Sequence, residues 1–247
     1  TLYIASARVA ALAPGRDHLE VRLEAPSVNG MKVVKVLTFH RNSHIIDISH
    51  EIMNANSEPF AAHAYFQVTR DGKSPPGDTK MMSTYTGAGI YTEQDKYVKV
   101  GFSDIDKGKT PYSKTADNGW IGMVQHYFVT ALLPLEKQPR EFYTRKLAED
   151  FYSAGVIVPT VVIAPGATGK VTMRVYAGPQ EQDKLKAIAP GLDLVVDYGW
   201  LTVIAAPLFW VLQYFHAWLN NWGLAIILLT VVLKLIFFPL SAASYRS

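Results

Sequence analysis

The sequence contains no cysteine, so disulfide cross-links, thiolate nucleophiles and cysteine-ligated zinc or iron–sulfur centres are excluded. The compartment stays open on this count, because a thiol-free chain suits an oxidising space and the cytosol alike. Charge is scarce in one region only. Residues 198–247 carry two formal charges, Lys234 and Arg246, whereas residues 1–197 carry 22 Lys/Arg and 21 Asp/Glu. The larger part is thus nearly neutral and offers no clustered basic face, so no nucleic-acid partner is expected for this chain. With 49% hydrophobic and 18% charged residues among 247, it is too apolar to stay disordered.

Catalytic signatures are missing as well. There is no Walker sequence, no HExxH and no serine nucleophile elbow. Gly87-Ala88-Gly89 reads as lacking the buried strand before it and the helix after it that a phosphate-cradling loop needs. Among seven histidines, His40, His44 and His50 come nearest to a metal set. His40 and His44 flank Arg41-Asn42-Ser43 at a strand connection, however, and no helix brings them together. We therefore expect no catalytic residues, no metal and no cofactor.

What is present, as far as about Ala177, is period two. Leu19-Glu20-Val21-Arg22-Leu23 alternates apolar with charged residues, as a strand with one wet face does. Asn29-Gly30 marks a turn before the valine-rich run Met31 to Phe39. Ile46, Ile48 and Ile52 alternate with polar neighbours, and Ala64 to Val68, Tyr97 to Phe102, Gly155 to Ile163 and Lys170 to Ala177 read as further strands. Asp71 to Lys80, with two glycines and two prolines, reads as a polar loop. Glu181 to Ala189 reads as a short helix stopped by Pro190-Gly191. Short strands punctuated by Gly and Pro predict a mainly β protein, an antiparallel β-sandwich.

The last fifty residues follow a different rule. Leu201, Ile204, Leu208, Val211, Leu212, Phe215 and Leu219 recur at spacings of three and four, which predicts an amphipathic helix, with a kink or late start at Pro207. Trp200, Trp210, Trp218 and Trp222, four of the five tryptophans, crowd here, as expected of membrane-interface anchors. A helix lying in the membrane interface is the leading reading, a core helix of the sandwich the other. Asn220-Asn221 breaks the pattern. Trp222 to Leu240 then runs about 28 Å as a helix, enough to cross a hydrocarbon core of ~30 Å. Its single charge, Lys234, sits about 16 Å from Gly223 and about 9 Å from Leu240. It is either a snorkelling lysine or a cation facing a hydrated cavity between helices.

Asn118 to Phe128, Gly178-Pro179, Gln182-Asp183-Lys184, Leu192 to Trp200, Pro207-Leu208, Asn221-Trp222-Gly223 and Pro239-Leu240 together resemble the YidC/Oxa family of bacterial inner-membrane protein insertases. The resemblance spans the chain and is most specific from Asp193 onward. It implies a β-supersandwich periplasmic domain related to sugar-mutarotase folds, then an amphipathic interfacial helix and the first of five core transmembrane helices. Residues 1–190 would form the periplasmic domain, truncated at its N-terminus. Residues 191–221 would form the linker and interfacial helix, 222–241 the transmembrane helix and 242–247 the start of a cytoplasmic segment. The chain would thus be a piece of a longer protein. In the family the helices enclose a hydrophilic groove whose cation receives polar or acidic parts of the substrate. The matching position is Lys234, where arginine is usual, so the charge is kept and the bidentate fork is lost.

The implied function is non-enzymatic: insertion and folding of inner-membrane proteins, alone or with the Sec translocon, with residues 1–221 on the periplasmic side. Implied partners are nascent membrane-protein substrates, Sec components and the lipid bilayer, with ribosome contact left to parts outside this chain. The alternative from another class is a membrane-tethered carbohydrate-binding or mutarotase-like sandwich.

Overall fold

The computed structural model describes residues 2–5, 11–73, 85–135, 137–196 and 202–246. The chain forms two compact units, Thr1–Val196 and Asp197–Ser247.

The first unit begins with strands β1 (Ile4–Ala5), β2 (His18–Glu24), β3 (Met31–His40), β4 (Ile45–Asn54), β5 (Phe60–Ala62), β6 (Tyr65–Asp71), β7 (Gly87–Thr92) and β8 (Lys96–Val100). After a short helix, α1 (Phe102–Asp106), come β9 (Thr115–Ala116), β10 (Trp120–Gln125), β11 (Phe128–Leu133), β12 (Arg140–Ala148), β13 (Phe151–Ile157), β14 (Val161–Ile163) and β15 (Thr168–Pro179). Helix α2 (Gln182–Ile188) and a 3-10 turn over Leu192–Val195 close the unit.

All strand pairs are antiparallel, in a nine-stranded sheet ordered β1-β2-β3-β4-β15-β11-β10-β7-β8, a four-stranded sheet β6-β13-β12-β9 and a pair β14-β5. Side-chain alternation divides each strand between two faces. On the inner face of the large sheet, Ile90, Ile121, Met123, Leu132, Met173 and Val175 pack on Phe66, Phe142, Tyr152 and Val156 of the small sheet. On its outer face, Trp120, Val124, Val129, Ala131 and Tyr176 pack under Leu185 of α2 and Leu192 and Val195 of the 3-10 turn.

Trp120 anchors that outer layer. Its ring lies 6.3 Å from that of Tyr91 and 5.9 Å from that of Tyr97, and its indole N–H donates to the Pro190 carbonyl at 3.0 Å. Gly191 follows with φ of +70°, and a Cβ there would stand 2.3 Å from the Tyr91 ring. Only glycine meets both demands, so Pro190-Gly191 ends α2 and seats the 3-10 turn at once.

Over β2 and β4 the outer face has no such cover and is polar, with Val34 and Val36 of β3 buried between them. Arg22 pairs with Glu51, and Ser49 hydrogen-bonds Thr172 at 3.0 Å. Asp47 accepts from His40 at 2.8 Å and from Arg174 at 3.0 Å. Burial pushes the Asp47 carboxyl up, but these two hydrogen bonds and the Arg174 charge outweigh it and hold the group below the ordinary carboxylate range.

Several expectations are met: Asn29-Gly30 forms a two-residue turn with positive φ at both positions, closed by the reciprocal Val28–Met31 backbone bonds of 2.9 Å. Others are corrected. Gly155 to Ile163 is two strands in different sheets, because the imide nitrogen of Pro159 cannot donate to a ladder. Phe102 opens α1 instead of closing a strand. Gly87-Ala88-Gly89 lies inside a buried strand, β7, as no phosphate loop does. Of the polar loop, residues 74–80 lie outside the described residues.

We expect Asp47→Asn to destabilise the unit by about 1 kcal/mol or less at pH 7, the scale of a solvent-screened pair. Because the folded pKa is depressed, the carboxylate's contribution is complete above the ordinary value of about 3.9 and is lost as pH falls through the depressed value. Denaturant melts of both proteins should therefore differ at pH 7 and converge near the acid limit; a constant gap would remove this role.

Candidate functional site

The second unit contains α3 (Thr202–Leu219) and α4 (Trp222–Arg246), packed together and joined by Asn220-Asn221. Asn220 takes a left-handed conformation with φ of 49°, which a short polar side chain tolerates, and ends α3. Asn221 starts α4: its side-chain Oδ1 accepts the Leu224 N–H at 3.2 Å. The His216 and Trp222 rings stack across this turn with centroids 3.8 Å apart.

On α3 the half-buried residues include Leu208, Val211, Leu212, Phe215 and Leu219, the stripe expected from the spacing. Ile204, on the same stripe, is 60% exposed, so cover fades on the N-terminal side of Pro207. Pro207 lies inside the helix, not at its start. On α4 the covered residues are Ala225, Leu228, Leu229, Val232 and Leu233, again at spacings of three and four. The two stripes belong to helices in mutual contact.

Lys234 stands on the opposite side of α4 from that stripe. At 100° per residue its direction lies about 180° from Ala225 and within about 40° of Gly223 and Thr230. The lysine is exposed, and Thr230, one turn earlier, turns its hydroxyl back to donate to the Ile226 carbonyl at 2.8 Å. The uncovered face of α4 thus carries a hydroxyl and a cation among Ile226, Ile227, Phe237 and Phe238, all exposed. The charge alone drew attention in the sequence; Thr230 is found by writing the segment with period 3.6 and asking what shares the lysine's face.

The tryptophans separate by position. Trp210 and Trp218 are 67% and 75% exposed and flank Tyr214, whose ring stacks on Trp210 at 6.2 Å. Trp222 is at the turn and half covered by His216. Trp200 lies outside the described residues. Of the histidines weighed for metal, His40 is held by Asp47, His44 lies edge-on to Tyr176 and His50 against Phe66. Among the described residues no group of three or more His, Asp or Glu is placed to hold an ion.

Among the described residues α4 alone is long and apolar enough to cross a membrane, over Trp222–Pro239. Little of that window is buried, whereas a core helix of this length would be mostly covered. The molecule is therefore a mainly β sandwich domain followed by a helical pair, of which α4 is long and apolar enough to cross a membrane. The chain belongs to the YidC periplasmic domain family, whose family model matches residues 1–211. It is 57% identical over 236 residues to the membrane protein insertase YidC of Nitrosospira multiformis, covering 96% of this chain and 42% of that protein. It is 56% identical over 237 residues to the YidC of Dechloromonas aromatica, covering 96% of this chain and 43% of that protein. The chain thus spans about two-fifths of the length of these relatives. Among solved structures, an alpha-galactosidase of Lactobacillus brevis is similar with a TM-score of 0.50 at 10% identity, over 74% of this chain and 27% of that one. At that identity the likeness shows the fold alone and gives the carbohydrate-binding alternative no support.

Replacing Asn221 by alanine should weaken the α4 N-terminus by about 1 kcal/mol, the usual worth of an N-cap. The expected sign is faster amide hydrogen exchange at Leu224, and unchanged protection there would show that the cap is idle.

Proposed function

We propose that this chain is the periplasmic domain and first groove helix of a bacterial inner-membrane insertase that helps membrane proteins insert and fold, alone or with the Sec translocon. Residues 1–190 form its periplasmic domain, 191–221 the linker and interfacial helix, 222–241 the transmembrane helix and 242–247 the start of a cytoplasmic segment. Trp200, Trp210, Trp218 and Trp222 anchor the helices at the periplasmic headgroup layer, where amphipathic rings are favoured. Nascent membrane proteins, Sec components and the lipid bilayer are its partners.

The observation that carries this reading is the placement of Lys234 on the face of α4 opposite the stripe covered beside α3. A cation in hydrocarbon costs several kcal/mol unless it is hydrated or paired. A helix that turns its cation and a hydroxyl to its open side is suited to line a wet groove shared with further helices. Such a groove shortens the apolar path that a polar substrate segment must cross, and Lys234 offers that segment transient electrostatic attraction. The step is physical transfer, with no bond made or broken.

In the full-length protein, Lys234→Ala and Lys234→Glu should impair insertion of substrates with acidic translocated segments, the glutamate form more severely. Lys234→Arg should be tolerated. Complementation of a depleted strain, with protease protection of a reporter substrate, reads this out. Full activity of the alanine form would leave Lys234 a snorkelling residue.

A further inference from the structure

The small sheet, β6-β13-β12-β9, buries one face in the core and turns the other outward. Alternation places Glu141, Tyr143 and Arg145 of β12 on that outer face, in rows with Ile157, Gly155 and Ser153 of β13. Tyr65, Gln67 and Thr69 of β6 extend the same three rows. Glu141 and Arg145 are exposed, as are all three β6 residues, so the face is open to water.

Tyr143 occupies the centre. Its ring lies over Gly155, where a Cβ would collide with it, and its hydroxyl donates to the Gln67 side chain at 3.1 Å. The Arg145 guanidinium stands over the ring, 4.2 Å from its centroid. Glu141 and Arg145 are four residues apart, about 13 Å along the strand, too far to pair with each other. Among the described residues neither joins an ion pair. The outer face of the large sheet differs, because there Arg22 pairs with Glu51 and Arg174 with Asp47. Charges already answered within one copy gain little from a partner, whereas Glu141 and Arg145 have no ion pair to give up.

We propose that the outer face of the small sheet pairs with the same face of a second copy of this chain, about a two-fold axis lying in the interface and crossing β12 at Tyr143. Such an axis reverses the strand, so position 145 of one copy meets position 141 of the other, and the contact occurs twice. Glu141-Phe142-Tyr143-Thr144-Arg145 is thereby its own complement. Two Glu–Arg pairs flank two facing tyrosine rings, and the row of Ile157 and Tyr65 meets the uncharged row of Ser153 and Thr69. Tyrosine and arginine without lysine is also the composition of an interface core. Three strands about 4.8 Å apart make a small patch, so the pair is weak and forms where copies are concentrated. The inference goes beyond the insertase reading and is measured without any insertion step.

The test is charge reversal, read by sedimentation velocity of the full chain in detergent over a concentration series. The unaltered chain should pass reversibly from monomer to dimer. Arg145→Glu, which sets glutamate against glutamate twice, should weaken the dimer at least about tenfold, and Glu141→Arg should do the same with two arginine pairs. An equimolar mixture of the two variants should dimerise again, since one copy then brings two glutamates and the other two arginines. That recovery also shows that each variant is folded. The double variant Glu141→Arg/Arg145→Glu should dimerise alone. A dimer of unchanged affinity in both single variants would place the contact elsewhere and overturn the proposal. So would failure of the mixture to recover, or an unaltered chain that stays monomeric at every concentration, which would leave the face to a different protein.

Discussion

The first unit is organised by a mismatch of width: a large sheet of nine strands meets a small one of four. A sheet buries a face only where another layer lies on it. The small sheet covers β7, β10, β11 and β15 from inside, and there the inner residues are mainly apolar. On the outside, α2 and the 3-10 turn cover nearly the same strands, so β10 and β11 are buried on both faces. The other half of the large sheet lacks both of these layers, and one end of its inner face is covered instead by the β5–β14 pair, where Ile52 packs with Ala62 and Ile163. Its outer face carries the ion pairs Arg22–Glu51 and Arg174–Asp47, and part of its inner face floors a cleft of about 700 Å³ beside β6, bordered by Lys35, His50 and His63. Core, polar ladder and cleft are three consequences of one inequality.

The second unit follows a different pattern. Its helices keep apolar residues on the covered stripe and on the open face alike, a pattern that water would penalise and lipid does not. Hydrophobic contrast therefore cannot decide how α3 meets α4; close fit and the Asn220-Asn221 turn do. Against that uniform background Lys234, the one charge within Trp222–Pro239, stands out energetically, because in hydrocarbon it must find water or a counter-charge.

Legibility in the sequence follows the same division. Strands with one wet face, β2 and β4 among them, alternate visibly and were readable. β10 and β11 escaped the period-two pattern because both faces are covered: Trp120-Ile121-Gly122-Met123-Val124 is apolar throughout, which a strand and a buried helix share. Pairing between distant strands is not local at all, and the cleft was invisible for that reason. Lys35, His50 and His63 look unrelated until β3 is registered on β4 and β6 is laid across them. Lys234 was the opposite case, since a lone charge in a long apolar run needs no tertiary information to be noticed. Its partners on the helix face needed only the period of 3.6.

The cleft and Lys234 share a chemistry. In each, a cationic group stands in mainly apolar surroundings, and the described lining of the cleft holds no carboxylate. A nearby internal carboxylate would neutralise such a site and leave it nothing to attract. A cation so placed must be hydrated or meet a carboxylate from elsewhere, because an uncompensated charge in apolar surroundings costs several kcal/mol.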